Sequence, residues 1–448
     1  MFRTCHFPIV RCFSWLHRLV TARAKWWFLF LISWVIVSIC HGSIPKVVQS
    51  MPIPNALNAL NDKIHQLRMG DFEVKVVGPD QQPIPGATVH LEQLTHHFEF
   101  GTALETEIFN APTDAPERIN YLALAQRLFN ASVHENALKW HATEPIQNQI
   151  SYADADRILA WSEENGLKMR GHTLFWEAEI WNQDWLKALN RQALQQAAQK
   201  RALEVCTRYR GRLSEYDVLN ETLHDDFFRS RLGEDIIDQM FQWCHQADPD
   251  AQLYVNDFDI LNGKDLNQYV AQIRALLDRG VPVHGIGIQG HIQEKISAAQ
   301  IQHTLDTLAQ FELPIKITEF DVQADTEAEQ ARVLETVYRI AFAHPAVTGI
   351  YMWGFWQNAH WQPEAALFRA DFTPKPAAEA YQALIYDQWW TDTEGRTNDA
   401  GEFQSRAFWG EYQVTVKVGN STSTQRLMLS PESSPRQILI RSATTLSS

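Results

Sequence analysis

A regular beat constrains the fold of this chain more than any other feature. Eight short apolar runs start near residues 97, 131, 168, 214, 251, 283, 314 and 347. Helical patterns fill the intervals, such as AAQKRALEVCTRYRG before 214 and DLNQYVAQIRALLDRG before 283, the latter stopped by Gly280. Strand–helix alternation repeated in this way predicts a parallel sheet with helices on its faces. Eight such units suit a closed α/β fold, the (β/α)8 TIM barrel, for which ~250 residues are typical. An open doubly wound sheet is the alternative, but no glycine-rich phosphate loop follows any of the runs. The barrel is assigned to residues 97–390, ending with the helical pattern KPAAEAYQALIYDQWW.

The flanks read differently. Residues 43–70 read as a linker leading into a short helix near 56–68. Residues 71–96 alternate apolar and polar positions (Phe72, Val74, Val76) and carry Gly-Pro-Asp and Pro83–Gly86 turns, which are strand and hairpin signals. Residues 391–448 turn to short strands, with Tyr412, Val414, Val416 and Val418 on one face, and a Ser/Thr-rich end. Neither piece has enough strands to be stable alone, so the two are expected to pair as a small β region beside the barrel.

Residues 1–42 hold five basic residues and no acidic one, and residues 26–40 (WWFLFLISWVIVSIC) are uncharged and mostly apolar. Fifteen residues are short for a membrane span of ~20. The pattern reads as a signal peptide cut near 40–43, or as an uncleaved anchor; either way the remainder faces outward, secreted or membrane-anchored. Without the leader the formal charge of −14 becomes −19. That charge repels polyanions, so no nucleic-acid partner is expected. The chain is expected to be a monomer. Of five cysteines only Cys206 and Cys244 lie outside the leader, where a disulfide and two separate buried thiols are both open readings. Asn130 and Asn420 occupy Asn-X-Ser/Thr sequons.

In a barrel, strand C-terminal ends share one mouth, and here those ends are polar: Glu135-Asn136, His172, Asn220-Glu221, Asn256-Asp257, Gln289 with His291, and Glu319 with Asp321. Glu221 closes YDVLNE and Glu319 closes IKITEF, so two carboxylates rise from rigid strands into one space. Glycoside hydrolysis needs such a pair: one proton donor for the leaving oxygen, and one nucleophile or base for the anomeric carbon. Sixteen tryptophans, twelve of them after residue 42, fit a sugar ligand, because sugar rings present apolar faces to indoles.

Six strings, HENALKW (134–140), RGHTLFW (170–176), YDVLNETL (216–223), GIGIQGHI (285–292), ITEFDV (317–322) and WGFWQNAHW (353–361), resemble in order those of glycoside hydrolase family 10, the endo-β-1,4-xylanase family, in its plant-type branch. The resemblance implies a retaining xylanase acting on xylan. It makes Glu221 the acid/base and Glu319 the nucleophile, with carboxyls ~5–5.5 Å apart. Asn220 would bond the sugar 2-hydroxyl, Gln289 would contact the acid/base, and His291 with Asp321 would orient Glu319. Glu135, Asn136 and Lys139 would bind glycone hydroxyls, and His172, Trp176, Trp353 and Trp361 would enclose the sugar at the cleavage point. No cofactor and no metal are implied. Departures from the family pattern at Glu177, Gln357, Phe258-Asp259 and Arg369 bear on fine substrate preference. The competing readings are a transglycosylase, a hydrolase of another β-1,4-glycan, and a non-catalytic carbohydrate-binding protein.

Overall fold

The computed structural model describes residues 54–293, 295–434 and 436–442, all within one compact unit. The expected leader lies outside them. Among the described residues no helix is long and apolar enough to cross a membrane.

Strands β1 (Met69–Val77) and β2 (Thr88–His96) precede the barrel. Its first staves are β3 (Glu99–Leu104), β4 (Ala131–His134) and β5 (Lys168–Gly171). The short β6 (Phe175–Trp176) runs beside β7 (Glu215–Asn220), followed by β8 (Gln252–Asp257) and β9 (Gly285–Ile288). A second short piece, β10 (His291–Ile292), runs beside β11 (Ile315–Val322), and β12 (Val347–Met352) is the last stave. Every pairing is parallel, and β12 returns to β3 with Tyr351 opposite Gly101, so eight staves close the sheet. All eight residues of β11 are buried. A parallel strand has the barrel interior on one face and helices on the other, which is why it reads as a continuous run rather than an alternation. Some of the helices start at side-chain caps: Asn190 accepts from the Ala193 amide at 3.0 Å, and Ser297 from the Gln300 amide at 3.1 Å.

The barrel interior is not wholly apolar. Arg170 sits between Glu215 (2.8 Å) and Asp217 (2.6 Å), and Lys316 pairs with both Glu215 and Glu99. Tyr351 donates to Glu99 at 2.7 Å. A Cβ on Gly101 would lie 2.3 Å from the Tyr351 ring, so the ring needs a glycine beside it. These charges alternate in sign up the interior, and each buried ion has an opposite partner.

The segment read as a linker ends in a docked helix, Pro54–Arg68. The Arg68 guanidinium donates to the carbonyls of Phe342 (2.7 Å), His344 (2.7 Å) and Val347 (2.8 Å), at the end of a barrel helix and the loop after it. Strands β1 and β2 do not form the hairpin their turns suggest. They enter two different sheets together with β13 (Asp392–Arg396), β14 (Glu402–Phe408), β15 (Gly410–Val418), β16 (Ser421–Leu429) and β17 (Arg436–Arg441). One sheet is ordered β14-β1-β17, the other β13-β2-β15-β16. Their inner faces share a core that includes Phe72, Val74, Leu91, Tyr412, Val414 and Ile438. The local turn is present, with a bridge between Val77 and Pro83, but each strand ladders with the C-terminal segment: β1 with β14 and β17, β2 with β13 and β15. The Asn130 amide donates to the carbonyls of His96 and Phe98, both at 2.9 Å, and accepts from the Phe100 amide at 2.8 Å, so that sequon side chain is committed inside the protein.

Cys206 and Cys244 form a disulfide joining the helices Arg191–Arg208 and Asp235–Ala247, which flank β7 in sequence. It closes a loop of 38 residues. Closure of a loop that long stabilises the fold by about 3–4 kcal/mol through the unfolded state. The Cys206→Ser/Cys244→Ser protein should lose that much in urea unfolding, with unchanged cleft chemistry.

Candidate active site

The strand ends converge on a cleft of about 830 Å³. Twelve of the thirteen side chains expected at the site line it; the thirteenth, Asp321, stands just behind, bonded to two of them.

Glu319 rises from β11 and is 5% exposed. Asn256 donates to its Oε1 at 2.7 Å, and His291 Nε2 lies 3.4 Å from its Oε2. His172 Nδ1 is 4.0 Å from Oε1 and 3.0 Å from Asp217 Oδ2, so the interior ion chain ends against this carboxylate. Burial alone would lift the Glu319 carboxyl, but His172, His291 and Lys139 more than offset it and hold it down at about 2. His291 is the counterpart. Burial disfavours its cation, yet Asp321 at 2.9 Å and Glu319 together push it up to about 10. Glu319 is therefore a permanent anion facing an imidazolium. Trp361 donates to Asp321 at 2.7 Å and fixes that pair from the solvent side.

Glu221 follows the last residue of β7 with φ 62°, in the left-handed region. That conformation costs a non-glycine residue about 1–2 kcal/mol. It is held by backbone bonds: the Glu221 amide donates to Asn256 O at 3.0 Å, and Glu221 O accepts from Asp225 at 3.3 Å. Asp257 accepts from the Leu223 amide at 3.0 Å and secures the turn that follows. Glu221 Oε2 accepts from the Trp176 indole at 2.7 Å, and Oε1 from Gln289 at 3.0 Å and Asn220 at 3.2 Å. Burial, aided by the Glu319 charge, raises the Glu221 carboxyl above its ordinary value, while the Gln289 and Trp176 donors restrain the rise. Asn256 also donates to Asn220 at 2.9 Å, so one amide network links the two carboxylates.

At one end of the cleft, Lys139 is buried beneath Glu135 and Asn136, with its ammonium 3.1 Å from Asn136 Oδ1 and 4.7 Å from the Trp176 ring. Burial lowers its pKa against the pull of Glu319 and Glu135. Trp353 meets the His172 ring edge-on at 5.0 Å and closes the floor. Phe258, Asp259 and Lys264 also line the cleft, and Phe258 stacks on His224 at 3.6 Å. Among the described residues no group of three or more His, Cys, Asp or Glu is placed to hold a metal ion.

Several functional neighbours are not evident from sequence. Asp217 lies within a strand and touches the site only after the sheet closes, whereas Asn256, already read as a polar strand end, proves to bond both Glu319 and Asn220. Trp181 lines the cleft, whereas Trp185 and Trp356, equally plausible by composition, bond to the Glu144 and Ala370 carbonyls instead. Glu177 is fully buried and accepts from the Phe228 amide at 2.6 Å and from Arg229 at 3.2 Å, tying the Glu221 loop to β6.

Comparison with known proteins agrees with this geometry. Residues 91–384 match the family model described as glycosyl hydrolase family 10. An anti-sigma-I factor of Acetivibrio thermocellus is 36% identical over 81% of this chain and 47% of its own length. Endo-1,4-beta-xylanase 1 of Arabidopsis thaliana is 35% identical over 81% of this chain and 38% of its own. The chain thus spans under half the length of these curated relatives. The crystal structure of xylanase 10B from Thermotoga petrophila RKU-1 in complex with xylobiose superposes with a TM-score of 0.60, at 27% identity, over 64% of this chain and 94% of that one.

Proposed function

The chain belongs to glycosyl hydrolase family 10, and from that membership we propose that it is a retaining endo-β-1,4-xylanase, cutting internal bonds of xylan by double displacement. The observation that carries the reading is the pair of carboxyls at one barrel mouth whose proton affinities are driven apart: Glu319 is held down at about 2, and Glu221 is raised above its ordinary value. Glu319 attacks the anomeric carbon while Glu221 gives its proton to the leaving oxygen. In the glycosyl-enzyme Glu319 is an ester and its charge is gone. Glu221 then ionises more readily and takes a proton from the incoming water. His291, held by Asp321, keeps the nucleophile oriented and charged. Asn220, Glu135, Asn136 and Lys139 face the glycone hydroxyls.

The test is incubation of the purified protein with xylan, cellulose and mixed-linkage glucan, reading released sugars and following the anomer by NMR. Xylan should be cut, and the β-anomer should appear first. No release from xylan, or the α-anomer first, overturns the reading.

A second measurement follows from the Trp176 bond. That indole favours ionised Glu221, so in Trp176→Phe the Glu221 carboxyl should rise further. The acid form then persists to higher pH, and the descending, alkaline limb of kcat/KM should move upward while the acidic limb stays in place.

We further propose that the protein acts outside the cytoplasm, secreted or tethered. The basic leader with its apolar 26–40 stretch supports this, and a disulfide is at home in an exported chain. Fractionation of the source cells tests it.

A further inference from the structure

Three of the few large apolar side chains left exposed lie together beside the cleft: Ile146 (57%), Ile180 (76%) and Trp181 (48%). They line a surface depression of about 600 Å³ that also touches His141 and Trp185. Trp181 belongs to both this depression and the cleft, so the two are continuous. Its ring stacks on that of Trp176 at 5.4 Å and 12°, one indole away from Glu221.

The ground under these side chains is rigid. Asn182 donates to the carbonyls of Trp176 (2.8 Å) and Ala178 (2.9 Å). Gln183 and Trp185 both donate to Glu144 O, at 2.9 and 3.1 Å. The loop is thus organised by its polar groups, while its apolar groups stay in water. A contiguous exposed apolar patch marks a binding surface. Continuity with the cleft names the occupant, since any long chain lying across Glu135, Asn136 and Lys139 is led onto it.

We propose that Ile146, Ile180 and Trp181 form a distal sugar platform on the glycone side of the cleft, which takes the non-reducing portion of a long β-1,4-linked pentosan chain. This rests on the xylanase reading and adds a length preference to it. Apolar ring faces of successive sugars pack on the indole and the isoleucines, and their hydroxyls stay in solvent. Binding so remote from the reacting bond raises kcat/KM for long substrates and biases where they are cut.

The test compares xylotriose with xylohexaose carrying an 18O label at its reducing end. In Ile146→Ser/Ile180→Ser and in Trp181→Ala, the ratio of kcat/KM for hexaose to triose should fall about tenfold, the factor that corresponds to ~1.4 kcal/mol. The labelled fragments should lengthen, because fewer sugars are drawn to the glycone side. Trp181→Phe should retain most of the ratio. The isoleucines are solvent-exposed, so folding should be unaffected, which a thermal melt checks. An unchanged ratio and cutting pattern, with the unmutated protein still cleaving both oligosaccharides, overturns this inference alone. Cleavage of neither by the unmutated protein overturns the functional reading and this inference with it. A dimer that the isoleucine variant dissolves, with the ratio unchanged, assigns the patch to a second copy of the chain and overturns the platform.

Discussion

Glu319→Ala should lower kcat on xylan by about 10^5-fold, because it removes the atom that bonds to the anomeric carbon. Retention of xylan in affinity electrophoresis should survive, since the glycone contacts of Glu135, Asn136 and Lys139 remain. Added azide provides the diagnostic. A small anion fits the space the carboxylate leaves and attacks from the same face, while Glu221 still supplies its proton. Partial recovery with an α-glycosyl azide as product is the expected result. Full activity without azide would remove Glu319 from the mechanism.

The second large effect is at the other carboxyl. Glu221→Ala should lower kcat/KM on xylan by about 10^3-fold, the scale of a lost general acid. Substrates with an activated aryl leaving group need no proton, so their first step should be nearly unaffected. The loss then moves to hydrolysis of the glycosyl-enzyme, where water lacks its base. Azide should again accelerate turnover, but by attacking the opposite face, giving the β-glycosyl product. The anomer of the azide adduct therefore tells the two roles apart, which a comparison of rates alone would not.

Much of this site could be read along the chain because each barrel strand is buried on both faces and then emerges at one rim. A run such as IKIT followed by Glu319 announces both the strand and the place where it stops being apolar. Lys316, inside that same run, gives no such announcement. Its partner Glu215 is 101 positions away, and only closure of the barrel shows that the charge is matched rather than misplaced. Asp217 is similar. In YDVLNE it is one polar letter among several, yet it holds His172 beside Glu319. The tryptophans separate only by what their indole N–H finds: Trp176 finds Glu221, Trp361 finds Asp321, and Trp185 a backbone carbonyl. The cysteines behave likewise, since their meeting depends on how two helices pack, not on spacing. Arg369, at one of the departures from the family pattern, bonds Glu327 at 2.6 Å and the Pro374 carbonyl, away from the two carboxyls. The departure at Phe258-Asp259 lies in the cleft itself and is where substrate preference can differ.

The flanking sheets bear on how the protein is made. Glu73 of β1 meets Gln437 of β17 across 364 positions. At synthesis rates of about 5–20 residues per second, β1 waits roughly 20–70 seconds for that neighbour. During that interval the barrel is completed, while Phe72, Val74 and Val76 have no sheet to enter. An unpaired strand with an apolar face invites pairing with another nascent chain. Asp71, Glu73 and Lys75, interleaved with those residues, put a charge at every second position of the waiting strand. In the finished sheet Lys75 pairs with Glu402 and Glu73 accepts from Gln404; in the waiting strand the same charges oppose edge-to-edge pairing with another chain.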